Sequence, residues 1–152
     1  MIRRIVLLAA ASLLVALPSA TATAKKKPVN RSMVGPYSDT SFQHPVTITV
    51  GKNKQGRRVI KKASFGCQTA GHSPGTVKVK SIKISNAGTF AIEGTRKVTF
   101  LDESTAKVEL TITGTFKKRS VTGALTPAGE DGPCDAMSYD AMFYGSGVPI
   151  FG

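Results

Sequence analysis

The stretch from Thr105 to Phe116 constrains the fold more than any other part of the chain. Ala106, Val108, Leu110, Ile112, Gly114 and Phe116 alternate without a break with Thr105, Lys107, Glu109, Thr111, Thr113 and Thr115. A helix brings every third or fourth residue to one face, whereas a strand brings every second. Unbroken alternation over this length therefore excludes a helix and calls for a strand with one dry and one wet side.

Other segments repeat the pattern in shorter form. Val46, Ile48 and Val50 alternate with Thr47 and Thr49, a polar turn follows over residues 51–56, and Val59, Ala63 and Phe65 then share a face. Val77 and Val79 alternate with Lys78 and Lys80, but Ile82 and Ile84 stand on the opposite parity. That slip places a bulge, or a crossing between sheets, near Ser81. Phe90 and Ile92, Val98 and Phe100, Ser120 to Thr126, and Met137 to Phe143 supply further short strands. Asn86-Ala87-Gly88, Asp102-Glu103-Ser104 and Lys117-Lys118 mark turns between them. About eight short strands without a helical pattern predict an all-β fold, an antiparallel β-sandwich or a flattened barrel.

The ends of the chain have a different character. Met1-Ile2-Arg3-Arg4 is a positive n-region, and Ile5 to Leu17 is apolar and too short to span a bilayer comfortably. Ala20-Thr21-Ala22 and Ala22-Thr23-Ala24 are small-residue cleavage sites, so residues 1–24 read as a signal peptide cleaved near Ala24. No second long apolar run follows, which predicts an extracellular protein without a transmembrane segment after cleavage. Residues 25–36 read as a flexible basic leader, 37–145 as the β-domain and 146–152 as a Gly-rich tail. Export decides the reading of the two cysteines. Outside the cell, Cys67 and Cys134 are expected to form one disulfide, closing a loop long enough to stabilise the fold by about 2–4 kcal/mol.

Several of these pieces carry a resemblance. Gly35-Pro36-Tyr37-Ser38-Asp39-Thr40-Ser41 precedes the strand Pro45 to Val50. Phe65-Gly66-Cys67, Gly88-Thr89-Phe90, Ile112 to Phe116, Val121 to Leu125 and Cys134-Asp135 follow. Together they resemble a group of small secreted β-rich proteins of actinobacteria, over most of residues 35–145. The resemblance implies a β-sandwich-like fold and no particular ligand. The chain departs from that pattern at Asp39, where a Gly is common, and at Met142 and Phe143, where a Trp is usual.

Catalytic chemistry is thinly supplied. His44 and His72 are the two histidines, and neither a His-x-x-x-His nor a Cys-x-x-Cys spacing occurs, so neither a metal site nor a cofactor is expected. Asp102/Glu103 and Glu130/Asp131 are adjacent acids in turns, where carboxylates ordinarily cap the backbone or face water. No Gly-x-Ser-x-Gly elbow is present. With no Trp, the three tyrosines (Tyr37, Tyr139 and Tyr144) make a weak sugar-stacking platform and are expected to pack in the core or tie to backbone. The chain reads as non-enzymatic.

Charge is the remaining signal. Residues 25–119 hold 19 Lys/Arg against 5 Asp/Glu, whereas residues 120–152 hold 4 acids and no cation. Lys52, Lys54, Arg57, Arg58, Lys61 and Lys62 crowd one predicted hairpin, with Lys78 and Lys80 on the next strand. Such density exceeds what solubility requires and raises a positive potential. These eight residues are expected to bind anionic cell-envelope or extracellular polymers. Lys25 to Lys27 and Lys117, remote in sequence, would serve as a control set. Two competing readings are an inhibitor of a secreted protease acting through the loop 68–76, and a glycan-active enzyme in which His72, Asp131 and Asp135 converge.

Overall fold

The inner wall that the alternation of residues 105–116 calls for belongs to a barrel. The computed structural model describes residues 32–39, 45–68, 73–129 and 132–145. Eight strands follow one another: β1 (Gly35–Asp39), β2 (Val46–Lys52), β3 (Arg58–Cys67), β4 (Gly75–Lys83), β5 (Thr89–Phe100), β6 (Thr105–Phe116), β7 (Ser120–Pro127) and β8 (Met137–Phe143). Each pairs antiparallel with the next, and β8 returns to β1 through Tyr37 opposite Phe143 and Ser38 opposite Met142. That closure resolves the choice between sandwich and barrel in favour of an eight-stranded closed barrel. Among the described residues no helix is long and apolar enough to cross a membrane.

The interior is filled rather than hollow. Tyr37, Ile48, Ile60, Phe65, Val77, Val98, Leu110, Ile112, Phe116, Val121 and Leu125 are all buried. Outward positions are held mostly by Lys, Thr, Glu, Asp and Ser, with Ala91, Ala124 and Met142 among them. Rings lock the centre by edge contacts, Tyr37 against Phe116 and Tyr37 against Phe143, each at 5.2 Å between centroids. Phe65 meets Tyr139 at 5.5 Å.

One cross-strand row depends on missing side chains. Phe90, Gly114, Gly123 and Tyr139 are register neighbours on β5, β6, β7 and β8. The two glycines leave room for the Phe90 and Tyr139 rings to lean over them. Tyr139 reaches across β7 at Gly123, and its hydroxyl donates to the Thr113 carbonyl on β6 at 2.7 Å. Burial pushes the Tyr139 hydroxyl pKa strongly up. Tyr37 is shifted up for the same reason, partly offset by its bond with Met33 and by the charge of Arg58. Two of the three tyrosines thus pack in the core with their hydroxyls tied to backbone.

The phase slip expected near Ser81 appears, and β3 carries a second one that the alternation does not announce. Ser81 takes a positive φ of 60°, and β4 beyond it carries Ile82 inward and Lys83 outward. On β3 the register with β2 shifts between Thr49 and Val50, which inserts Lys61 as an extra residue. Ile60 is therefore the buried residue, not Val59, which is only half-buried. The segments around Phe90 and Val98, read as two strands, are one strand, β5. The count of eight is restored by β1, which begins at Gly35 inside the stretch read as leader; Ser32 before it is already buried. The proposed signal peptide, residues 25–31 of the leader and the tail from residue 146 lie outside the described residues.

The barrel wall has a seam. β4 and β5 pair only at Gly75, Thr76 and Val77 with Phe100, Thr99 and Val98. Continued in that register, Ser81 would face Gly94, and Gly94 also has a positive φ, 100°. β4 past this point follows β3, and β5 follows β6. Where the pairing lapses, Arg96 occupies an inward-parity position opposite Val108.

Cys67 and Cys134 are joined, with 4.8 Å between their Cα atoms. The bridge ties the end of β3 to the segment before β8, and Asp135 N–H donates to the Gln68 carbonyl beside it at 3.0 Å.

Candidate anion-binding face

An up-and-down barrel sends alternate connections to opposite ends, and here that sorting separates charge. At one end are the β2–β3 turn (residues 53–57), the β4–β5 turn (84–88) and the β6–β7 turn (117–119). They contain Lys54, Arg57, Lys117, Lys118 and Arg119 and no acid. The strand termini there add Lys52, Arg58 and Lys83. At the other end, with the disulfide, the connections carry Asp102, Glu103 and Asp135 and, in sequence, neither Lys nor Arg.

The hairpin of the basic end is built to hold its shape. Asn53 closes the turn: its Oδ1 accepts from Gln55 N–H at 3.0 Å and Arg57 N–H at 2.9 Å. Asn53 N–H donates to the Arg57 carbonyl, and Gly56, at φ 74°, donates to the Asn53 carbonyl. Only a residue without a Cβ takes that left-handed position cheaply. The β4–β5 turn is equally fixed. Ser85 Oγ lies 2.7 Å from Thr89 Oγ1 and accepts from Thr89 N–H at 3.0 Å. Phe116 N–H donates to the Gly88 carbonyl, pinning this turn to β6.

The eight cations singled out in sequence fall into two groups. Lys52 and Arg58 are register partners at the rim, and Lys54 and Arg57 lie in the turn between them. Arg58 is half-buried and close enough to Tyr37 for its charge to act on that hydroxyl. Lys61, Lys62, Lys78 and Lys80 are exposed on the outer wall of β3 and β4. Lys62 faces Lys80 directly, and the Lys61 stem lies over Gly51. Like charges opposite one another cost stability. Lys83 and the Lys117–Arg119 turn join this basic end, although sequence distance sets Lys117 apart as a control. A charge-matched control belongs instead at Lys97 and Lys107, which face each other on β5 and β6 toward the other end.

Between the hairpin and the outer wall of β5, β6 and β7 runs a cleft of about 1060 Å³. One side is formed by Asn53, Gly56, Arg57, Arg58 and Val59 with Lys83 to Asn86. The other is formed by Thr89, Phe90, Ala91, Thr113, Gly114, Thr115, Thr122 and Gly123. Among the described residues no carboxylate lines it; the nearest in register is Asp140, opposite Thr122 on β8. Sequence reading found the basic hairpin but not this cleft. Threonines alternating with core residues look the same on any wetted strand, and only the closed topology brings them opposite the hairpin.

The competing sites fare differently. Asp102 Oδ1 accepts from Ser104 N–H at 3.0 Å and Ser104 Oγ at 2.5 Å, and these bonds hold its carboxyl below the usual carboxylate range. It closes a turn in which Glu103 has a φ of 65°. A depressed pKa is the wrong direction for a general acid. His44, His72, Glu130 and Asp131 lie outside the described residues, as do residues 69–72 of the loop 68–76. Among the described residues no three His, Cys, Asp or Glu side chains gather as a metal site would require. Comparison with protein-family models, curated proteins and solved structures finds no match.

Proposed function

We propose that this is an exported, non-catalytic barrel protein that binds an anionic polymer of the cell envelope or its surroundings. The contact surface is the basic end of the barrel, continued along the outer wall of β3 and β4. The observation that carries this reading is the sorting of charge by the topology. Two separate connections and the end of β4, far apart in sequence, bring cations and no acid to one end. Self-repulsion there costs stability that a purely solubilising charge pattern would avoid by interspersing signs. Lys52, Lys54, Arg57, Arg58, Lys61, Lys62, Lys78 and Lys80 are the binding residues, with Lys83 and Lys117 to Arg119 added by the fold. The disulfide accords with an oxidising compartment, which supports export.

The test is binding to duplex DNA, used as a model polyanion, across a salt series. Counterion release gives a log–log slope of about −0.9 per phosphate neutralised. A Lys54→Gln/Arg57→Gln variant is expected to flatten that slope by about 1.8, while the charge-matched Lys97→Gln/Lys107→Gln variant leaves it near the wild-type value. Equal loss in both variants would mean that net charge alone drives adsorption, and the reading would fall.

A further inference from the structure

We infer that the cleft beside the basic hairpin takes an acidic oligosaccharide, a short run of sugar rings bearing carboxylates. This rests on the polyanion reading and narrows it to one class of ligand and one site.

The lining divides by chemistry. Arg57, Arg58 and Lys83 stand on one side. The opposite side offers hydroxyls from Thr89, Thr113, Thr115 and Thr122, and Ser85 adds another from the turn. A simple polyanion needs only the cations and makes no use of this hydroxyl wall, where Ser85 and Thr89 already hold each other and Thr113, Thr115 and Thr122 face the cleft. A uronic sugar uses both, its carboxylate on a guanidinium or ammonium group and its ring hydroxyls on the threonines.

Thr89, Thr115 and Thr122 are register neighbours on three adjacent strands. Their side chains repeat at the inter-strand spacing of about 4.8 Å, and Thr113 and Thr115 at about 7 Å along β6. The result is a regular grid of donors and acceptors. Between these rows the wall turns its side chains inward, and the backbone of Gly114 and Gly123 forms a shallow floor on which a sugar ring can rest. The floor cannot sink inward, because Phe90 and Tyr139 fill the space beneath it.

Both walls are set before a ligand arrives. The Asn53 bonds fix the hairpin, and the Ser85–Thr89 bonds with the Gly88–Phe116 bond fix the turn. Binding therefore spends little on ordering. Phe90, the aromatic residue of the lining, is buried with its ring in the core, so the cleft offers no ring face on which the bases of a single-stranded nucleic acid could stack.

The experiment titrates the full mature protein with three probes: a galacturonic acid tetrasaccharide, its methyl-esterified neutral form, and tripolyphosphate. The tetrasaccharide is expected to bind best, and its amide shift perturbations should centre on Ser85, Thr89, Thr113 and Thr115. A Thr113→Val/Thr115→Val variant keeps the β-branched shape and removes two hydroxyls. It should weaken tetrasaccharide binding tenfold or more and leave tripolyphosphate within twofold. Should that variant fold poorly, shift mapping on the unaltered protein still separates a ligand on the threonine wall from one held by the hairpin alone. Equal loss for both probes, unchanged tetrasaccharide affinity, or shifts confined to the hairpin would overturn the assignment. Binding of DNA and tripolyphosphate without preference for the sugar sinks this inference alone. Binding of none of them sinks the polyanion reading as well.

Discussion

Replacing Gly123 with Ala strikes the tightest glycine position among the described residues, where an added Cβ meets backbone. A Cβ there would lie 2.0 Å from the Thr113 carbonyl oxygen and 2.4 Å from the Tyr139 hydroxyl. The carbonyl belongs to a paired strand and cannot retreat. The ring must swing away, which breaks the 2.7 Å bond from the Tyr139 hydroxyl to the Thr113 carbonyl and disturbs the contact with Phe65. Overpacking of a tight core costs about 1–3 kcal/mol. Stranding a buried hydroxyl adds about 1–3 kcal/mol. The two overlap, because relieving the clash is what breaks the bond, so the expected loss is about 3 kcal/mol. For a domain of this size that lowers the midpoint of thermal unfolding by about 10–15 °C. Circular dichroism against temperature reads it, and tyrosine fluorescence in urea reads the same loss at equilibrium. Gly129→Ala is the control: nothing lies within 4 Å of the added Cβ, and its stability should stay within about 0.5 kcal/mol of wild type. If Gly123→Ala unfolds with the control, Tyr139 does not pass over β7 as described, and the account of the glycine pair is wrong.

Three other outcomes follow from the same structure. A Cys67→Ser/Cys134→Ser variant should lose about 2–4 kcal/mol in urea unfolding, with the midpoint shifted and the barrel's far-ultraviolet spectrum kept. Gly94→Ala, which forces a side chain to φ 100°, should cost about 1–2 kcal/mol although open space surrounds it; a smaller loss would show that β5 does not need its bend. Tyr139 has a folded pKa raised above its ordinary value of 10.0, so the stability linked to its neutral form is complete below pH 10 and drains away as pH rises toward the folded value. Alkaline titration of stability should therefore fall more steeply in wild type than in Tyr139→Phe, and equal slopes would show that the hydroxyl is not buried.

Much of the barrel is legible in the chain because its inward rows are pure. The β6 alternation survives into the structure with Val108, Leu110, Ile112 and Phe116 all buried. What hides is the irregular part. β5 reads as two strands because Gly94 and Arg96 occupy inward positions where an apolar residue would have continued the pattern. β1 hides because Gly35-Pro36-Tyr37-Ser38-Asp39 turns only Tyr37 fully into the core. Closure rests on two residue pairs between strands at opposite ends of the domain, and no local pattern reports a contact that distant. The hairpin cations are visible because they are neighbours in sequence. Lys83 and Lys117 to Arg119 join them only through the order of the strands.

The sorting of charge gives the molecule a lengthwise electrical polarity, and this has a consequence for how it would sit on a surface. A 12-residue strand such as β6 spans about 40 Å along its own direction, and about 30 Å along the barrel axis after tilt. The screening length in physiological salt is about 8 Å. An anionic sheet touching the Arg57 end therefore never feels Asp102, Glu103 and Asp135 at the other. Attraction at the near end goes uncancelled, while any molecule that lands upside down is repelled. The barrel should stand upright on such a layer, and the outer rim would then present the disulfide and the exposed side chain of Leu101 to whatever approaches from solution.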